Sequence, residues 1–168
     1  MLESTLELRL LRSVDWRVLK EARLRALRDS PHAFISPYDH ELRLSEFEWR
    51  RKFEAASWVV AQEGEEVVGL AGSVSDPATP WIRHVESIWV APTHRRRGVF
   101  RALLYALADI ERRIGVTDLL IWVLDDNQEA ERAYQTVGFE PTGERQFLPA
   151  LGRFERRLWL GIRHLPGL

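Results

Sequence analysis

Three consecutive arginines, Arg95, Arg96 and Arg97, run into Gly98 and are followed by Val99, Phe100 and Arg101. Apolar residues recur at helical spacing from Val99 onward, so the cluster stands at a helix N-terminus, where backbone N–H groups have no intrahelical acceptor and the dipole favours negative charge. Arginines oppose that dipole, and a bound phosphate or pyrophosphate would offset them, with Gly98 allowing close approach of the backbone. A solvated basic loop is the plainer alternative. A nucleic-acid patch is disfavoured by the lack of interleaved aromatics, and a nucleotide loop by the absence of the Gly-x-x-x-x-Gly-Lys-Ser/Thr frame. A second cluster precedes the arginines. Side chains two apart on a strand share a face, so His84, Glu86 and Ile88 are expected together, opposite Val85, Ser87 and Trp89. Two titratable groups on one face suit proton transfer, or an ordinary ion pair on a partly solvated strand. Asp125-Asp126 suits a cationic amine or simply forms an acidic turn. His32, His40, His94 and His164 show no metal-ligand spacing, and no metal site is expected.

Periodicity supplies the elements that position these groups. Leu6–Leu10 alternates as a half-buried strand, and Asp15 reads as the N-cap of a helix with Trp16, Leu19, Ala22, Ala26 and Leu27 inward. Ser30-Pro31 and Ser36-Pro37 define an irregular connection, until Ser45 and Glu48 form a capping box for a helix reaching about Ala56. Residues 58–62 and 66–75 form a hairpin about Gly64-Glu65, and 81–90 reads as the fourth strand. A helix over 99–114, with Leu103, Ala106, Leu107, Ile110 and Ile114 inward, crosses to a fifth strand over 118–124. Asn127 then caps a short helix that stops at Gly138, and two strands near 139–145 and 154–162 close the chain. Of the seven tryptophans, most are assigned to the core, Trp58, Trp122 and Trp159 falling in strand runs, while Trp81 and Trp89 are candidates for the border of an acceptor cleft. Hairpins plus one crossover imply an α/β (α+β) protein with a mixed, mostly antiparallel sheet of about seven strands flanked by helices.

With 168 residues, 45% of them hydrophobic, residues 1–168 suit a single domain. Twenty-four basic and 25 acidic residues give a net charge of -1, so nothing draws the chain as a whole toward nucleic acid or an anionic membrane. The absence of cysteine excludes disulfides, thiolate metal sites and a cysteine nucleophile. Glu3, Glu7 and Arg9 interrupt the first eleven residues, which therefore lack the apolar core of a signal peptide, and no segment approaches membrane-spanning length. A cytoplasmic protein is the expectation.

Two segments carry a family likeness. Arg95-Arg96-Arg97-Gly98-Val99-Phe100 follows the pattern Gln/Arg-x-x-Gly-x-Gly/Ala, between Val90-Ala91-Pro92 and Arg101-Ala102-Leu103-Leu104. Asn127, Ala130, Tyr134, Gly138 and Phe139 follow Asn-x-x-Ala-x-x-x-Tyr-x-x-x-Gly-Phe. In this order the chain resembles the GNAT superfamily of acyl-CoA-dependent N-acyltransferases, and residues 23–34 are similar to a branch of its bacterial members. The resemblance implies acetyl-CoA as cosubstrate, with no metal, and direct attack of a neutral amine on the thioester. It assigns Ile88, Val90, Arg95, Arg96, Arg97, Gly98, Val99, Phe100, Arg101 and Asn127 to the coenzyme, a backbone N–H near Ile88 to the oxyanion, Tyr134 to protonation of the leaving thiolate, and Glu86 to the amine's proton. Simpler accounts stand beside these roles: Tyr134 packing with Ala130 and Val137, Asn127 acting only as an N-cap, and water serving as the base. Phe100 departs from the usual Gly or Ala. Its ring either turns toward the core or pantetheine arm, leaving binding intact, or enters the phosphate cradle and weakens it. The acceptor implied is a small-molecule amine or a protein N-terminus, with residues 29–44 and the last strands setting specificity, and a homodimer through those strands is common in the family. A non-catalytic acyl-CoA sensor or interaction module of the same fold is the competing function.

Overall fold

The alternating run near the start of the chain forms a strand, β1 (Leu6–Leu10), which pairs antiparallel with β2 (Ala56–Glu63). β2 and β3 (Glu66–Ser75) make the expected hairpin, with Gly64 at φ 64° in its turn. β4 (Ile82–Val90), β5 (Asp118–Leu124), β6 (Glu140–Leu148) and β7 (Arg153–Gly161) complete a seven-stranded sheet of order β1-β2-β3-β4-β5-β7-β6. Only β4 and β5 run parallel. The computed structural model describes residues 5–165. Residues 1–4, part of the stretch considered for a leader peptide, lie outside the described residues.

Among the described residues five α-helices flank the sheet: α1 (Trp16–Asp29), α2 (Tyr38–Leu42), α3 (Glu46–Glu54), α4 (Val99–Arg113) and α5 (Gln128–Val137). α4 covers one face. A Cβ on Gly69 would lie 2.8 Å from Leu103 and 3.2 Å from Val99, and Ser73, on the same face, donates to the buried Glu111 of α4. α1 and α3 cover the other face, where Trp58 lies against Gly72 and its indole N–H donates to the Phe53 carbonyl of α3 at 3.0 Å. Among the described residues no helix is long and apolar enough to cross a membrane.

Ser45 and Glu48 close the capping box as expected, but α3 ends at Glu54 and Ala56 already belongs to β2. Elsewhere the local signals mislead. Asp15 occupies the N-cap position of α1 as expected, but its side chain makes no capping bond there; its carboxylate accepts the Arg12 N–H at 2.9 Å and closes the 3-10 turn Ser13–Asp15 that precedes the helix. The connection expected to be irregular holds a 3-10 turn, Pro31–Ala33, and α2. α2 is only five residues long, too short to stand alone, and is fixed by Glu41, which is 1% exposed and ion-paired to Arg23 of α1 at 2.8 Å. Ile114 is 64% exposed because α4 ends one residue before it and Gly115, at φ 93°, redirects the chain. Trp58 is in the core, whereas Trp122 is only partly buried and Trp159 is 39% exposed, its N–H turned to Asp118 at 2.7 Å.

Two irregularities in β4 shape its end. Its pairing with β5 is confined to Ile82↔Asp118, Arg83↔Leu119 and His84↔Leu120, beyond which the strands diverge. Its register with β3 shifts between Gly72↔Glu86 and Leu70↔Trp89, with Ser87 at φ 57° inside the shift. The extra residue is a β-bulge, which breaks side-chain alternation. Glu86 and Trp89 therefore share the α1 face, and the expected grouping of Glu86 with Ile88, opposite Trp89, is wrong.

Gly72→Ala would put a methyl 2.5 Å from the Trp58 ring, which its hydrogen bond to Phe53 holds in place. A loss of about 1–3 kcal/mol is expected on overpacking such a site, measurable by urea unfolding followed through tryptophan fluorescence.

Candidate functional site

The divergence of β4 from β5 opens a cavity of about 450 Å³. Ile88, Trp89 and Val90 of β4 form one wall, Asn127, Ala130, Ala133 and Tyr134 of the α5 segment the opposite one. Ser30, Ala33 and Phe34, after α1, close a third side, and Arg95, Arg96, Gly98, Phe100 and Arg101 form the end nearest α4. Of the residues assigned from sequence, the structure thus gathers Ile88, Val90, Arg95, Arg96, Gly98, Phe100, Arg101, Asn127 and Tyr134 about one space. Arg97 and Val99 fall outside the lining: Arg97 is exposed, and the Val99 side chain packs in the core against Gly69.

The basic turn has a conformation that could receive an anion. A 3-10 turn, Pro92–His94, delivers the chain to Arg95, after which Arg96 (φ 60°) and Gly98 (φ 81°, ψ 0°) both adopt the left-handed conformation. Left-handed residues interspersed in such a turn make successive N–H groups converge on a concavity. A Cβ built on Gly98 meets no atom within 4 Å, so the space in front of the turn is open. The ring of Phe100 does not fill it. That ring lies edge-on to Tyr134 with centroids 5.1 Å apart, the orientation toward the core rather than into the phosphate cradle.

The arginines are not equivalent. Arg95 donates from Nε to the Val90 carbonyl at 3.0 Å and from its terminal nitrogen to Asp29 and Ser30 at the end of α1. Asp29 also accepts from the Trp89 indole at 3.0 Å. Burial opposes ionisation of Asp29, but the donors Trp89 and Ser30 and the charge of Arg95 outweigh it and hold its carboxyl below the usual range. Arg95 therefore acts as a strut between α1, the end of β4 and the turn. Arg101 lies over the Tyr105 ring and donates to its hydroxyl at 3.0 Å.

Tyr134 is 2% exposed and held between Phe100 and Phe139, the latter at 5.3 Å. Burial alone pushes its phenol above the ordinary value, and among the described residues its hydroxyl has no hydrogen-bond partner. It is a phenol kept protonated at the wall of a cavity. The carbonyl oxygen of the Asn127 side chain accepts the Ala130 N–H at 3.2 Å, the N-cap expected of it, while the residue also faces the cavity.

Glu86 is partly buried on the α1 face of β4 and does not line the cavity. His84 is hydrogen-bonded to Asp76 at 2.9 Å and does not line the cavity. The Asp125-Asp126 turn is likewise taken up by the chain, Asp125 by Arg145 and Arg156, Asp126 by Arg153. Two further participants, His94 and Phe34, are not among the residues assigned to the site. His94 lines the cavity while bonded to Glu63 at 2.5 Å and Thr93 at 2.8 Å. Phe34 lies under the Arg23 guanidinium at 4.8 Å. Only the position of His94 directly before the arginine run could have flagged it.

The turn can hold a phosphate, the cavity an elongated, mostly apolar group, and Tyr134 can supply a proton at its wall. A family model described as "Acetyltransferase (GNAT) family" matches residues 21–139. The N-alpha-acetyltransferase RimI of Mycobacterium tuberculosis is 37% identical over 90 residues, 53% of this chain and 55% of its own. Such matches span between 26% and 55% of the lengths of the curated relatives. The GNAT-family acetyltransferase of Streptococcus pneumoniae superposes with a TM-score of 0.77 at 16% identity, covering 94% of this chain and 99% of that one. An acetyltransferase of Salmonella typhimurium, solved with its cofactor acetyl-CoA, gives 0.69 at 19% identity and 96% coverage of both chains. At those identities the likeness is one of fold.

Because the Tyr134 phenol is raised by burial, its contribution to stability is fully present below the ordinary tyrosine value of about 10 and is lost as pH rises beyond it. Alkaline unfolding curves should show a component of the stability loss above about pH 10 that Tyr134→Phe removes.

Proposed function

Since the chain belongs to the GNAT acetyltransferase family, we propose that it is an N-acetyltransferase, moving an acetyl group from acetyl-CoA to a primary amine by direct attack in a ternary complex. The observation that carries this is the pairing, about one cavity, of an open anion-binding turn at Gly98 with a buried, protonated Tyr134. Acetyl-CoA, when bound, supplies the acetyl group as an activated thioester. The residues suit it: convergent N–H groups with Arg96 and Arg101 for the pyrophosphate, and the apolar walls of Ile88, Val90, Ala130 and Ala133 for the pantetheine arm.

Three tasks then fall to the chain. The Ile88 N–H, on the stretch of β4 with no β5 partner, donates to the carbonyl oxygen as negative charge develops there, while the acceptor nitrogen forms its bond to the carbonyl carbon. Tyr134 gives its proton to sulfur as the C–S bond breaks, a proton that any tyrosine phenol carries at neutral pH. Glu86 lies off the cavity, so it accepts the proton released by the new C–N bond through water. The acceptor is a small-molecule amine or a protein N-terminus, admitted from the side closed by Phe34. The relative named for N-alpha-acetylation and the fold match solved with acetyl-CoA both support this reading. The chemistry belongs to the cytoplasm, where acetyl-CoA is available.

Calorimetric titration with acetyl-CoA, followed by thiol release over a panel of amines, tests the proposal. Binding with amine-dependent thiol release is expected, and Phe100→Gly should bring no gain in affinity because the ring already lies clear of the turn. Binding without thiol release would leave a coenzyme sensor instead. Tyr134→Phe should bind the coenzyme normally and lower kcat about a hundredfold, the scale of a lost general acid; unchanged turnover would remove Tyr134 from the mechanism.

A further inference from the structure

Ser87 is one of two non-glycine residues in the left-handed region among the described residues, and it sits where β4 must kink. A side chain there is strained, and such strain persists only when the surroundings over-determine it. The β3 pairs on either side of the bulge are one constraint, and a guanidinium is another. Arg23, on α1 and 6% exposed, donates from one terminal nitrogen to the Ser87 hydroxyl at 2.9 Å. Its Nε and other terminal nitrogen fork onto the Glu41 carboxylate at 3.0 and 2.8 Å. Burial works against the charge of Glu41, but Arg23 and, more weakly, Lys52 hold its carboxyl below the usual range, so the fork stays ionic. The same guanidinium lies 4.8 Å over Phe34 at the cavity wall.

A buried ion pair is a poor way to gain stability, since apolar residues of equal volume serve as well or better. What the rigid, planar fork does supply is a fixed direction for its remaining N–H donors. Here that direction ends on the hydroxyl of the kinked residue. Resting on the acetyl-transfer reading, we propose that Arg23 and Ser87 form a positioning clamp: Arg23, braced by Glu41, holds Ser87 in its left-handed conformation and thereby aims the next N–H, that of Ile88, at the thioester carbonyl. Neither residue touches substrate. Ser87 is separated from Arg23 by 64 positions, so the clamp also ties α1, which carries the Asp29 strut to the phosphate turn, to the strand that reads the acetyl group.

Calorimetric titrations with acetyl-CoA and with free CoA test this without an acceptor, because the ratio of the two affinities reports on the acetyl group alone. The unmodified protein should prefer acetyl-CoA. Ser87→Ala keeps the Arg23–Glu41 pair but loses the hydroxyl, and should reduce the preference about tenfold with CoA affinity unchanged. Ser87→Gly also loses the hydroxyl yet adopts positive φ without strain, and should retain the preference. Arg23→Lys, which keeps the charge beside Glu41 but not the fork, should behave like Ser87→Ala. A preference undiminished in Ser87→Ala, or absent from the unmodified protein, overturns the clamp while leaving coenzyme binding intact. Failure of the unmodified protein to bind either ligand takes down the acetyl-transfer reading and the clamp with it.

Discussion

Backbone donors and acceptors that leave a sheet must be satisfied elsewhere or remain available to a ligand. β4 and β5 pair through three residues each and then separate, and the site grows from what their ends do next. Beyond β4, the Val90 carbonyl takes the Nε of Arg95 and the Ala91 N–H returns to the Val68 carbonyl at 2.8 Å. Beyond β5, the Leu124 carbonyl takes the Asn127 N–H and the Asp125 N–H goes to the Phe154 carbonyl, both at 2.9 Å. The two exits are thus pinned apart. Helices start just after each, α4 behind Gly98 and α5 behind Asn127, and the gap between the strands becomes the cavity.

Charge is distributed with the same logic. The chain is nearly neutral, yet its arginines serve different ends. Arg23, Arg95, Arg145, Arg153 and Arg156 are tied to carboxylates and act as fasteners between elements. Arg96 and Arg97 form no ion pair among the described residues and face solvent beside the open turn. The unfavourable encounter of positive charge with a helix N-terminus is concentrated where a ligand can relieve it.

Where the cause of a structure is local, the sequence revealed it. The Ser45–Glu48 box, the end of α5 at Gly138, the Asn127 cap and the alternation of the strands all depend on neighbours a few residues away. The family likeness rests on the same short segments, which is why both walls of the cavity were legible. What escaped was determined at a distance. α2 has no cap of its own and depends on Arg23 for the burial of Glu41. The Ser87 bulge gives no local sign, because serine has no preference for positive φ, and missing it reversed the inferred side of Trp89. Arg95 lines the cavity as expected, but its tie to Asp29, 66 positions earlier, has no local sign. Asp15 failed for a different reason: its capping chemistry was real but served the turn before the helix.

The Arg95 strut bears on how this scaffold tolerates exchange of parts. One guanidinium bonds to the end of α1, to Ser30 at the head of the connection after it and to the last carbonyl of β4. The segment after α1 and the basic turn are therefore not modular, despite lying some sixty residues apart in sequence. Grafting residues 30–44 from a relative to redirect selectivity would disturb the turn through Ser30, and remodelling the turn would release α1. Recombination across this scaffold is constrained to move Asp29, Ser30 and Arg95 together, as a single inherited unit.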